Sequence, residues 1–139
     1  MDIDAGHFTL GCAYLDGLSY RHVDVNGGTA VELDLTDNLR GPAGSMHGGL
    51  VTVLVDVAGA FCIARATERP VATASTSIQY LAAARVGPIR ATAKVLRVSE
   101  TLGVADVQLV DLGKDSRLIA VAHVTCRLLP GESFVRTTS

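Results

Sequence analysis

Two runs of alternating apolar and polar residues come early in the chain: "LSYRHVDVN" at 18–26 and "TAVELDLT" at 29–36, either side of Gly27-Gly28. A period of two around a glycine turn predicts a β-hairpin. "DNLRGPAG" follows with the chemistry of a loop, carrying Asn38, Gly41, Pro42 and Gly44. Then the period changes. Leu50, Val53, Leu54, Val57 and Phe61 recur at helical spacing. One long helix is expected from about His47 to Ala66, with Ser45 as its N-cap and Pro70 as its stop. After Pro70 come "VATASTSIQYL", "PIRATAKVLRVS", "TLGVADVQLVD" and "RLIAVAHVTCRLL", all rich in Val, Leu and Thr and read as strands. The expected class is α+β, with one apolar helix packed on an antiparallel sheet. Residues 1–17 show no clear period and are read as an N-terminal arm. Residues 18–129 form the domain and 130–139 a flexible tail.

Composition sharpens this picture in three ways. Of 139 residues, 48% are apolar and only 19% charged, which leaves apolar surface to hide against another subunit. A net charge of −2 and the absence of Trp give no basic field or stacking platform for nucleic acid. Cys12, Cys62 and Cys126 are widely spaced in apolar surroundings and read as free thiols of a reducing, cytoplasmic compartment. The acidic start "MDIDAGHF" lacks the basic region of a signal peptide. Residues 46–64 could span a membrane by length, but Asp56, His47 and three glycines argue against it. The four His residues show no ligand spacing, so no metal is expected, and no GxSxG motif supports a serine esterase.

The candidate chemistry lies in the helix. Between Arg40 and Arg65 there is no Lys, Arg or Glu, and Asp56 is the one carboxylate. At 100° per residue Leu50, Leu54, Val57 and Phe61 share a face that would seat on the sheet. Gly49, Thr52, Asp56 and Ala60 share another, small enough for close approach by a partner helix. The helix begins His47-Gly48-Gly49. A helix start leaves backbone N–H groups unpaired, and glycine leaves them open to an approaching oxygen. A carbonyl oxygen gaining negative charge is the sort of group such a site stabilises. Gly48 and Asp56 are separated by about 12 Å along one helix. One chain therefore cannot bring both to one reacting carbonyl, whereas two antiparallel copies can.

"HGGLVTVLVD", followed by a strand ending "IQYL" and later "RVSETLGVADVQLVD", resembles the PaaI-type branch of hotdog-fold acyl-CoA thioesterases. The resemblance covers residues 18–129. It implies a hotdog fold, in which a curved antiparallel sheet of about six strands wraps the helix. It also implies a homodimer with the site at the subunit interface, commonly a dimer of dimers. Asp56 is then general base or nucleophile, and the Gly48 amide of the partner chain polarises the thioester carbonyl. Thr73, matched by aligning the strands on Tyr80, helps hold the attacking water. The family often has an Asn six residues before the His, where this chain has Gly41; Asn38 is the candidate to take that role by another loop path.

His47 is a further candidate, for chemistry or for positioning. Gly49, Arg90, Arg97 and Thr101 are candidate substrate contacts. Arg85, Arg90, Lys94 and Arg97 form a basic run that reads either as contact with coenzyme A phosphates or as a solvated face. By strand alternation Arg90 and Lys94 share a face and Arg97 takes the other. Ala58, Gly59 and Ala60 suggest room for a bulky acyl group. The expected activity is hydrolysis of an acyl-CoA to acid and coenzyme A, with no cofactor beyond coenzyme A in the substrate. The alternatives are an acyl-CoA sensor without catalysis and, less well matched, a hotdog hydratase or dehydratase.

Overall fold

The computed structural model describes residues 17, 18 and 20–131. Nearly all of the expected arm, Cys12, and residues 132–139 of the tail lie outside the described residues. Within them the order is β1 (Arg21–Val25), β2 (Gly28–Leu33), a 3-10 turn (Asp37–Leu39), α1 (Gly48–Thr67), β3 (Val71–Tyr80), β4 (Ile89–Val98), β5 (Leu102–Asp111) and β6 (Arg117–Leu128). The strands form one antiparallel sheet in the order β1-β2-β4-β5-β6-β3. Gly27 turns the first hairpin at φ +79, a conformation glycine adopts without penalty.

α1 is long and apolar enough to cross a membrane by length and composition, yet more than half of its apolar window is buried inside the protein. Leu50, Val51, Leu54, Val55, Ala58 and Ile63 pack with Ala91, Ala93, Val107, Leu109 and Val124 of the sheet. Val or Leu side chains sealed in this way contribute roughly 1.5–3 kcal/mol each. Val57, expected on the seated face, is only half-buried, and the buried face includes Val51, Val55 and Ala58 instead. Gly59 lies so close to β6 that a Cβ there would stand 2.6 Å from Val124 Cγ2. The small residues at 58 and 59 thus let helix and sheet approach, rather than opening space for an acyl group. The other expected face behaves differently: Thr52, Asp56 and Ala60 are half-covered and Gly49 is exposed.

β3 is an edge strand, paired with β6 on one side, and its side chains are mostly exposed. A ten-residue edge of this kind has unpaired backbone groups ready for another strand. Its register slips by one residue, with Thr73 opposite Cys126 but Ser75 opposite Thr125, so Ala74 is an extra residue. Cys126, Val124, Ala122 and Ala120 of β6 point inward and are buried. The bulge therefore turns Thr73, Thr76, Ile78 and Tyr80 all toward the helix side, although strict alternation would put Thr73 and Tyr80 on opposite faces. A second bulge between Val95 and Arg97 leaves Leu96 as the extra residue. It corrects the expectation for Arg97, which joins Arg90 and Lys94 on the outer face of the sheet.

The β3–β4 loop, which touches the segment leading into α1, is held by a buried acid. Asp111 is 0% exposed, and its carboxylate accepts from the backbone N–H groups of Arg85 (2.8 Å), Val86 (3.0 Å) and Gly87 (2.8 Å). The loop fixed in this way reaches the segment before the helix, where Met46 N–H donates to Ala84 O and Arg40 Nη1 to Arg85 O; within that segment His47 N–H donates to Leu39 O. Burial alone would raise the Asp111 carboxyl, but the backbone donors outweigh burial and hold it below the usual carboxylate range. Its folded value is thus the lower one, so its stabilisation is complete above the unfolded value near 3.8 and is lost as pH falls through the folded value. Asp111→Asn leaves at least one backbone donor facing an amide N–H, and should cost about 3 kcal/mol. Urea unfolding at pH 7 measures that loss. Repeated below pH 4, the gap between wild type and variant should shrink.

Candidate functional site

His47, rather than the expected Ser45, is the N-cap of α1. Its Nδ1 accepts from Gly49 N–H at 3.0 Å, so this nitrogen carries no proton. A Cβ on Gly49 would stand 3.1 Å from that Nδ1, which gives the second glycine a local purpose. The carbonyl of His47 accepts from Leu50 N–H (2.9 Å) and Val51 N–H (3.4 Å). Gly48 O accepts from the Tyr80 hydroxyl at 3.0 Å. The peptide units on both sides of the Gly48 Cα are therefore held. Among the described residues, no acceptor takes the Gly48 N–H, and Gly48 is exposed. A Cβ at position 48 would meet nothing nearer than Tyr80 Cε1 at 3.9 Å, an ordinary contact, and the φ there is not positive. Neither the backbone nor packing within the chain demands glycine at 48. What it leaves open is a fixed N–H at the positive end of a 20-residue helix.

The acid lies at the far end of the same strand–helix contact. Thr73 Oγ1 donates to Asp56 Oδ1 at 2.6 Å. The bulge at Ala74 allows this contact by turning Thr73 to the helix. One carboxylate oxygen is anchored by this bond, and the other has no hydrogen-bond partner among the described residues. Burial pushes the Cys126 thiol above its ordinary value; the Thr73 hydroxyl, 3.9 Å from the sulfur, offsets part of that, and the Asp56 charge adds to it. Cys126 is thus a protonated wall beside the acid.

The other sequence candidates lie elsewhere. Asn38 sits exposed on the 3-10 turn, where its Oδ1 accepts from Thr36 Oγ1. Arg90 is bound through Nε to Glu32 Oε1 at 2.8 Å, and Glu32 also pairs with Arg21 at 3.0 Å. Arg90 and Arg97 both lie on the sheet face turned away from the helix, and Thr101 is in the β4–β5 turn, where its carbonyl accepts from Leu128 N–H. The structure brings together Asp56 with Thr73, and His47 with Gly48 and Gly49. The Arg90 and Arg97 side chains lie on the opposite face of the sheet and Thr101 in the β4–β5 turn; Asn38 is next to Leu39, whose carbonyl accepts from His47 N–H, but its own side chain bonds Thr36. Sequence reasoning missed Tyr80 and Thr52, whose hydroxyls lie 2.7 Å apart beside Gly48. The seven-residue step from Thr73 to Tyr80 held the clue, since two inward residues at odd spacing in a strand require a bulge.

This fold and site define a hotdog protein of thioesterase type. Residues 43–117 match the family model described as the thioesterase superfamily, and the chain belongs to that superfamily. It is 40% identical over 71 residues to a protein of Halobacterium salinarum named as an esterase; the match takes in 48% of this chain and spans less than half (46%) of that relative's length. It is 25% identical over 101 residues to the 1,4-dihydroxy-2-naphthoyl-CoA hydrolase of Listeria monocytogenes, covering 71% of this chain and 80% of that one. In three dimensions it is similar to the PaaI protein of E. coli, at a TM-score of 0.78 and 21% identity over 90% of this chain and 88% of that one. Zebra fish thioesterase superfamily member 2 superposes with a TM-score of 0.75 and 26% identity, over 87% and 88% of the two chains.

The cap assignment makes a direct prediction. His47→Ala should lower stability by about 1 kcal/mol, and His47→Asp, which can also accept from Gly49 N–H, should restore it. Thermal melts of the three proteins would check this; equal loss in both variants would contradict the cap.

Proposed function

We propose that this protein is an acyl-CoA thioesterase whose site is completed by two chains. The observation that carries the reading is the Gly48 N–H: fixed on both sides, free of an acceptor among the described residues, and carried by a glycine that the fold does not require. Pairing of two β3 edges in antiparallel fashion gives the second chain its place. β3 touches α1 through Thr73 at Asp56 and through Tyr80 at Gly48. An antiparallel pair centred between those positions sets Thr73 of one subunit beside Tyr80 of the partner subunit. Asp56 of one helix then lies near the Gly48 amide of the other.

In this site a thioester carbonyl points its oxygen at the Gly48 N–H. Asp56 of the other chain takes a proton from water as the water oxygen bonds to the carbonyl carbon. The negative charge that forms on the carbonyl oxygen is met by the amide and the helix dipole. Collapse breaks the C–S bond, and the leaving thiolate of coenzyme A takes up the proton that Asp56 had gained, which restores the carboxylate. Thr73 holds the Asp56 carboxylate in one orientation while this happens. These steps call on no group beyond the side chains, the amide and water. The buried thiols of Cys62 and Cys126 suit a reducing, cytoplasmic compartment.

The test is thiol release from a panel of aliphatic and aromatic acyl-CoAs. Asp56→Ala should lower kcat at least about 100-fold. Gly48→Pro is the sharper variant. Proline is favoured at the first helical position, His47 at φ −57, ψ 133 already has the conformation that precedes proline, and the substitution removes the N–H. It should keep the melting temperature and lower kcat by about 100-fold or more. A Gly48→Pro protein with full activity would overturn the amide's role. A wild type that binds acyl-CoA and never releases thiol would favour the sensor.

A further inference from the structure

We infer that Tyr80 is a positioning residue for the Gly48 amide, acting through its hydroxyl; this rests on the thioesterase reading above. Tyr80 ends β3 with its side chain 54% exposed, at the point where the strand passes the start of α1. An exposed tyrosine ordinarily turns its hydroxyl to water. Here the hydroxyl donates to Gly48 O at 3.0 Å and lies 2.7 Å from Thr52 Oγ1. Thr52 is one helical turn beyond Gly48, and its own hydroxyl lies 3.4 Å from the same carbonyl. With the Tyr80 proton given to the carbonyl, the single Thr52 proton goes to Tyr80 Oη at 2.7 Å rather than to the more distant Gly48 O, so Thr52 orients the tyrosine hydroxyl.

The consequence follows from which peptide unit is held. Gly48 O and Gly49 N belong to a single planar unit. His47 Nδ1 takes its N–H and Tyr80 Oη supplies its carbonyl with a donor, so the plane is gripped from both ends. Glycine has the widest choice of φ and ψ, and helix ends fray. Without the hydroxyl, Gly48 O keeps only the helix's own donors, so the first turn frays more readily and the preceding N–H, still tied through His47 O to Leu50 and Val51, is aimed less tightly at a substrate oxygen. A misplacement of about 1 Å is enough to cost a large factor in rate. The same strand that anchors Asp56 through Thr73 thereby aims the amide through Tyr80.

Tyr80→Phe keeps the ring and removes the hydroxyl. With acyl-CoA its kcat should fall about tenfold while KM and the melting temperature stay near wild type. The effect should vanish in the Gly48→Pro background, which has no amide to aim. The second readout is hydrogen exchange of the Gly49 amide by NMR, which is bonded to His47 Nδ1 and should quicken in Tyr80→Phe while the centre of α1 is unchanged. Unaltered kcat in an active enzyme would overturn the inference, as would unaltered exchange at Gly49, and either leaves the thioesterase reading standing. Wild type without thiol release removes the proposed function instead, and the exchange measurement then decides alone whether Tyr80 holds the helix start.

Discussion

Strand β3 is fastened to helix α1 at two points, and the candidate site depends on both. At one, the Thr73 hydroxyl bonds Asp56; at the other, the Tyr80 hydroxyl bonds the carbonyl of Gly48. The extra residue at Ala74 makes the double attachment possible, because it brings two side chains of odd spacing to one face. The strand edge opposite β6 stays open. A strand that is rigidly tied to the helix and free on its other side transmits any pairing it makes directly to the positions of Asp56 and Gly48.

In the proposed reaction, the need for a second chain follows from helix geometry. Eight residues of α-helix separate acid and amide by about 12 Å, too far for both to act on one carbonyl. The fold cannot shorten that distance, but a two-fold axis can bypass it. The half-covered face with Thr52, Asp56 and Ala60 is apolar enough to gain from contact and small enough to allow it. The buried Asp111 serves the same end from a distance. It fixes the loop that receives Met46 and Arg40, and so sets where the helix begins.

Much of this was legible in the sequence, for physical reasons. Alternation around Gly27 and the helical recurrence from Leu50 to Phe61 report burial on one side of an element, and both elements formed where that pattern lay. Asp56 stood out because a lone acid in an apolar stretch needs a reason. What could not be read is what alternation cannot encode. Each bulge shifts the phase of a strand, which put Thr73 beside Asp56 and Arg97 beside Lys94. Small residues carry an ambiguous signal too: Gly59 serves close packing on Val124, Gly49 makes room for a cap, and Gly48 does neither. The capping role of His47 was hidden because histidine competes poorly with Ser45 as a cap by composition alone.

The central claim is that acid and amide come from different subunits, and mixing two inactive variants tests it most directly. Asp56→Ala and Gly48→Pro chains, unfolded together and refolded at equal concentration, form mixed dimers for half of the population. Each mixed dimer holds one site with both groups intact, so thiol release should return to about a quarter of the wild-type value per chain. If both groups instead come from the same chain, no intact site can form, and a mixture as inactive as its two parents would contradict the account.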